Sequence, residues 1–149
     1  MRIKYLIFLL GATFLLFNNV SLLAQSNEVQ DESVDNTKSS LVVLWTTSEK
    51  DVFTKMLYIY TINAKKQAWF DDITLIVWGP SAKLLAEDKE LQSSVKKLAK
   101  AGVTLEACSW CTNQYGVTDD LKDLGIDVRG MGKSLTDYIK DDNKEVLVF

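Results

Sequence analysis

Two cysteines, Cys108 and Cys111, are the residues of this 149-residue chain best suited to chemistry. They are its only cysteines, and two residues separate them in the stretch EACSWCTNQYG. A pair at this spacing can act as a redox couple, supply half of a metal site, form a structural disulfide or carry sulfur as a persulfide. The rest of the sequence bears on each of these four hypotheses.

A metal site is the hypothesis with the least support. The chain contains no histidine, which removes the commonest zinc ligand and also the base of Cys-His and Ser-His catalytic sites. Two thiolates make half of a tetrahedral zinc site, and no second cysteine pair completes it. The sequence therefore predicts neither a metal ion nor any other cofactor.

The other three hypotheses stay open on the residues alone. A dithiol–disulfide oxidoreductase needs a reactive thiolate, but thioredoxin-type enzymes bring a later cis-proline against their pair, and the one proline here, Pro80, precedes it. A disulfide across so short a loop removes little chain entropy and stabilises a fold weakly. A sulfur carrier needs an accessible, low-pKa thiolate and no histidine.

The N-terminal region has the pattern of an export signal. Arg2 and Lys4 precede an uncharged apolar run, and Ala24 suits cleavage by signal peptidase. We therefore expect residues 1–24 to be a signal peptide and the protein to be periplasmic or secreted, with no membrane attachment after cleavage. An uncleaved anchor is the competing interpretation, but Asn18 and Asn19 interrupt the apolar run.

Composition divides the remainder into a leader and one domain. Residues 25–40 are polar and acidic and are predicted to form a flexible leader, because they bury too little apolar surface to offset chain entropy. Residues 41–149 are enough for one domain with its own core. With 20 acidic against 17 basic residues, the chain is not suited to a nucleic-acid partner.

Short apolar strands alternate with amphipathic helices along the domain. Predicted strands lie at residues 41–46, 73–78, 103–108, 126–129 and 146–149. Alternation of this kind implies right-handed crossovers. The expected fold class is therefore α/β: a three-layer α/β/α sandwich with a mostly parallel five-stranded sheet of flavodoxin-like character. Cys108 then lies at the carboxyl end of the third strand, where sites of such sheets are found.

Local sequence patterns indicate where the first and last helices begin. Ser48-x-x-Asp51 resembles a capping box at the start of the first helix, and Met56 repeats at helical spacing with the apolar face. Ser134 is predicted to cap the last helix. The segment GMGKS that ends at Ser134 resembles a phosphate loop only in part, because Asp127 stands where the first glycine is needed.

From Leu41 to Phe149 the sequence resembles the DsrE family, the DsrE/DsrF/TusD-like proteins of sulfur relay. The resemblance rests on the segments WGPSAKLLA, DKELQ and GVTLEAC, then on Cys111, on LGIDV and on the closing VLVF, all in the family order. Individually these segments are weak signals, and their common order makes them fairly specific.

The resemblance implies both an assembly and a role for the cysteines. Members form βα sandwiches that assemble into trimers or hexamers, and Cys108 occupies the position of the sulfur-accepting residue. Cys111 matches a second cysteine and would resolve or protect the persulfide. Tyr115 stands where some relatives carry an arginine.

The implied partners are a sulfur donor or acceptor protein, or a small sulfane-sulfur compound. Two alternative functions remain. One is a non-catalytic oligomeric binding or scaffold module with a structural CxxC disulfide, and the other is a periplasmic dithiol–disulfide oxidoreductase.

Overall fold

The computed structural model describes residues 39–149. The expected signal peptide, residues 1–24, and all but the last two residues of the expected leader lie outside the described residues. Within residues 39–149, no helix has the length and apolar character needed to cross a membrane.

Five strands and the helices between them make up the domain. The strands are β1 (Ser40–Trp45), β2 (Asp72–Val77), β3 (Thr104–Cys108), β4 (Asp127–Arg129) and β5 (Lys144–Val148). The helices are α1 (Lys50–Val52), which continues through a π-helical segment (Phe53–Leu57) into α2 (Tyr58–Lys66), then α3 (Pro80–Glu87), α4 (Lys89–Lys100), α5 (Ser109–Tyr115), α6 (Thr118–Asp123) and α7 (Met131–Ile139).

All four strand pairings are parallel, in the order β4-β3-β2-β1-β5. The predicted α/β fold with a five-stranded parallel sheet is therefore confirmed. Helices on both faces of the sheet bury these strands, which explains why β1 and β2 are mostly apolar.

The two faces of the sheet are covered unequally. The first three crossover connections join β1 to β2, β2 to β3 and β3 to β4, all in the same direction across the sheet. The fourth connection runs in the opposite direction, from β4 to β5 on the other side of β1. Because each crossover is right-handed, α7 covers one face alone and the remaining helices cover the other. Strand alternation matches this division, since Val43 and Leu75 belong to the larger core, whereas Val42 and Ile76 pack with Met131 of α7.

The prediction that Met56 faces the core was wrong. Phe53 and Leu57 are fully buried, whereas Met56 is 55% exposed. The π-helical segment explains this difference, because its wider turn carries Met56 away from the face of Phe53 and leaves Leu57 on it.

The predictions that Ser48 and Ser134 cap helices were also wrong. Glu49, and not Ser48, precedes α1, and no side chain caps that helix. The last helix, α7, begins at Met131 after Gly130, so Ser134 lies inside it. The hydroxyl of Ser134 instead accepts a hydrogen bond from Arg129.

Candidate functional site

The end of β3 positions the two cysteines. Cys108 is the last residue of β3 and the N-cap of α5, and Cys111 follows within the first turn of that helix. Both are free thiols, 6% and 4% exposed respectively. The predicted location of Cys108 at the carboxyl end of the third strand is confirmed, although the short helix that follows was not predicted.

Both cysteines line one pocket of about 420 Å³ at the carboxyl edge of the sheet. The pocket is lined by Trp78, Gly79, Cys108, Trp110, Cys111, Gly130, Met131 and Gly132. These residues lie at or just after the carboxyl ends of β2, β3 and β4, so three neighbouring strands contribute to the pocket. The side chain of Trp110, between the two cysteines, is 70% exposed and stands at the mouth.

Gly79 shapes the wall of the pocket beside Cys111. Its φ of +70° is strongly disfavoured for residues with a side chain, so glycine is required at this turn. Pro80 follows at the first position of α3, where its fixed φ suits a helix start. This turn presents the backbone N–H of Gly79 to the sulfur of Cys111.

The pKa of the Cys111 thiol is raised above its ordinary value. Burial is the largest cause, because it penalises the thiolate, and a hydrogen bond with Cys108 acts in the same direction. The N–H of Gly79 opposes both by stabilising the thiolate. Cys111 therefore remains a thiol at neutral pH.

An ion pair between a buried carboxylate and a partly exposed guanidinium lies on the face of the sheet that α7 covers. Glu106 is 5% exposed and stands two residues before Cys108, which places both side chains on the same face of β3. Its Oε1 accepts a hydrogen bond from Nη2 of Arg129 at 2.5 Å and another from the hydroxyl of Tyr138 at 3.1 Å. The same hydroxyl lies 3.3 Å from Oε2, so its single proton is shared between the two oxygens of the buried carboxylate.

Arg129 connects the elements that carry the pocket. It is the strand partner of Cys108, and its guanidinium also bonds Asp127 and Ser134. The hydrogen bond with Glu106 raises its pKa, and burial raises the pKa of Tyr138. The cluster of Glu106, Arg129 and Tyr138 thereby ties β3, β4 and α7 together.

The cluster of Glu106, Arg129 and Tyr138 is not predicted by the sequence patterns described above. Glu106 interrupts the otherwise apolar end of β3, and a carboxylate in a buried strand requires a cationic partner. That signal was available, although it does not identify Arg129 without the pairing of β3 with β4.

Metal-binding side chains do not gather at this site or elsewhere in the described part of the chain. Within residues 39–149, no group of three or more histidine, cysteine, aspartate or glutamate residues is placed to hold a metal ion. The pocket lining itself offers two thiols in an apolar setting.

Residues 38–149 match the DsrE/DsrF-like family. The chain belongs to this family. No curated protein matches it.

Solved structures similar to this chain include two proteins of bacterial origin. One is a conserved protein of unknown function, BT1422 from Bacteroides thetaiotaomicron, with 39% identity and a TM-score of 0.71 over 74% of this chain and 95% of the other. The second is the ychN protein from E. coli, with 16% identity and a TM-score of 0.55 over 75% of this chain and 99% of the other. At that identity the second comparison shows a shared fold only.

Proposed function

We propose that this DsrE/DsrF-like protein is a sulfur carrier in which Cys108 accepts sulfane sulfur and holds it as a persulfide. The observation that carries the proposal is the shared pocket: both thiols line one cavity at the carboxyl edge of the sheet, in a family associated with sulfur relay. Cys108 is the acceptor because it stands at the strand end, whereas the raised pKa of Cys111 keeps that residue protonated.

Loading of the carrier is a single displacement. The thiolate of Cys108 attacks the outer sulfur of a donor R–S–SH, the S–S bond of the donor breaks, and R–S⁻ leaves. Cys108 then carries –S–SH. No general base takes part, which suits a chain without histidine.

Cys111 supplies a route for discharge. Its thiolate attacks the Sγ of the Cys108 persulfide, hydrosulfide leaves, and a disulfide joins the two cysteines. An external dithiol must then reduce this disulfide before the next cycle. Alternatively, an acceptor thiol attacks the outer sulfur and leaves Cys108 as a thiolate. Because Cys111 is largely protonated at neutral pH, the persulfide persists long enough to meet an acceptor.

The proposal includes export and self-assembly. A protein with its signal peptide removed works in an oxidising compartment, so the reductant of the disulfide would be an exported dithiol protein. A homo-oligomer, a trimer or hexamer, is the assembly that we propose from the family resemblance. Donor and acceptor are sulfane-sulfur compounds or proteins that present a reactive thiol.

The test is sulfide release with dithiothreitol as acceptor. Purified reduced protein is supplied with an excess of an organic hydropersulfide, freed of excess donor and given the acceptor. The parent should release about one sulfide per chain, Cys111→Ser should do the same, and Cys108→Ser should release none. Equal release by Cys108→Ser and the parent would rule out Cys108 as the acceptor.

The same preparation tests the alternatives. A dithiol oxidoreductase would exchange disulfides with a model substrate protein through both cysteines and would require no sulfane sulfur. A scaffold module with a structural disulfide would show a permanently oxidised pair that ordinary thiols do not reduce. Disulfide exchange without sulfur uptake would favour the oxidoreductase. A permanently oxidised pair without sulfur uptake would favour the scaffold module.

A further inference from the structure

The lining of the cysteine pocket is apolar. Apart from the two sulfurs, it consists of the side chains of Trp78, Trp110 and Met131 and of three glycines. Within the described part of the chain, no charged side chain lines it. Its volume of about 420 Å³ lies in the range of small-molecule sites.

The positively charged side chains nearest in sequence to the pocket, Arg129 and Lys133, already form salt bridges. Arg129 precedes the lining residue Gly130, and its guanidinium contacts the carboxylates of Glu106 and Asp127. Lys133 follows the lining residue Gly132, and its Nζ contacts Asp137 at 2.6 Å. An anionic donor that entered the pocket would lose hydration without gaining a free cation.

The first turn of α7 supplies only part of one positive charge. Gly130 and Met131 line the pocket, and no side chain caps this helix. A helix N-terminus is equivalent to about half of a unit charge. That amount suits the single negative charge of a Cys108 thiolate or persulfide, and not a second anion beside it.

Two glycines leave room for an apolar group. A Cβ added at Gly130 or Gly132 meets no atom within 4 Å, so the pocket is open beside both. Trp78 and Trp110 provide indole rings against which an aromatic or aliphatic group buries its surface. This lining suits a hydrocarbon group attached to sulfur.

We propose that the donor is a small organic hydropersulfide with an apolar group R, and not thiosulfate or another small anion. The inference rests on the proposed function, since it names the class of substrate from which Cys108 takes sulfur. The reaction is the displacement described above: Cys108 gains the outer sulfur, the donor S–S bond breaks, and R–S⁻ leaves and takes a proton from solvent.

The test compares donors that differ in their group R. Reduced protein is mixed with benzyl hydropersulfide, cysteine hydropersulfide or thiosulfate, and each initial rate is divided by the rate of that donor with free N-acetylcysteine. The benzyl compound should exceed the cysteine compound by about tenfold or more, because the phenyl ring is buried in the pocket. Thiosulfate should be the slowest of the three.

Trp110→Ala and Trp69→Ala form a matched pair of variants. Both side chains are exposed tryptophans, 70% and 56% respectively, so neither substitution removes core packing. Trp110→Ala should reduce the preference for the benzyl donor severalfold. Trp69 does not line the pocket, and Trp69→Ala should retain the preference of the parent.

A ligand without sulfane sulfur separates this inference from the proposed function. Benzyl methyl sulfide should quench or shift the tryptophan fluorescence of the parent and of Trp69→Ala, and much less that of Trp110→Ala. Sulfur uptake with equal normalised rates for all three donors would overturn the apolar-donor inference and leave the carrier function standing. Binding of benzyl methyl sulfide without sulfur uptake from any donor would overturn the carrier function and keep the pocket assignment.

Discussion

The carboxylate of Glu106 and the guanidinium of Arg129 meet at 2.5 Å directly behind the cysteine site. Glu106 shares a face of β3 with Cys108, and Arg129 is the strand partner of Cys108. The segment that follows Arg129, Gly130 to Gly132, lines the pocket. This ion pair therefore holds the strand that bears the cysteine against the segment that forms the opposite wall.

Glu106→Gln should lower the free energy of unfolding by about 1–3 kcal/mol, because it replaces charge-assisted hydrogen bonds at a buried position. Arg129 is 37% exposed, which limits the loss by keeping part of its charge hydrated. Urea unfolding followed by circular dichroism measures the change.

The control for Glu106→Gln is Asp137→Asn, which removes the exposed pair between Asp137 and Lys133 of α7. Exposed pairs of this kind contribute about 0.5 kcal/mol or less. Equal losses for the two substitutions would show that the ion pair of Glu106 contributes no more than an exposed surface pair.

Gly79→Ala should destabilise the protein by about 1–3 kcal/mol, because alanine is strained at a φ of +70°. Thermal unfolding measures this loss. The same change should also displace the N–H that faces Cys111 and so raise the pKa of that thiol further.

Gly132→Ala is the matched variant for Gly79→Ala. Gly132 is helical, and a Cβ there meets nothing within 4 Å. Alanine should therefore stabilise α7 by up to about 1 kcal/mol. A Gly79→Ala protein that is as stable as Gly132→Ala would contradict the backbone requirement at the Gly79 turn.

The ionisation of Cys111 predicts a pH profile. In Cys108→Ser, alkylation of Cys111 by iodoacetamide should increase with pH and reach its midpoint above the ordinary thiol value of about 8.5, since burial is the largest cause of the raised pKa. A midpoint at or below that value would contradict the assignment of Cys111 as the protonated partner.

The same raised pKa makes stability depend on pH. Because the folded state binds the thiol proton more tightly than the unfolded chain, its contribution is complete below the unfolded pKa and is lost as pH rises through the folded value. The free energy of unfolding should thus decrease in alkaline solution, and Cys111→Ser should reduce this decrease.

Much of the fold follows from patterns in the sequence. The apolar runs of β1 and β2, and their alternation with helices, predict a parallel sheet and the position of Cys108 at its edge. Such patterns succeed because a strand that is buried on both faces is mostly apolar.

The parts that sequence patterns missed depend on backbone detail or on tertiary pairing. Met56 is exposed because the helix contains a π-helical turn, which spacing rules do not anticipate. Helix α5 is short, and its polar sequence SWCTNQY gives no helical periodicity. The partnership of Glu106 with Arg129 requires knowing that β3 and β4 are neighbours.

Peptide mass spectrometry after treatment with a sulfane-sulfur donor tests the central claim most directly. Reduced protein and its Cys111→Ser variant are exposed to the donor, alkylated and digested, and the peptide that contains residue 108 is weighed. We predict that Cys108 gains the mass of one sulfur atom and that this form accumulates in Cys111→Ser, which lacks the resolving thiol. A Cys108 peptide that never gains sulfur in either protein would contradict the account.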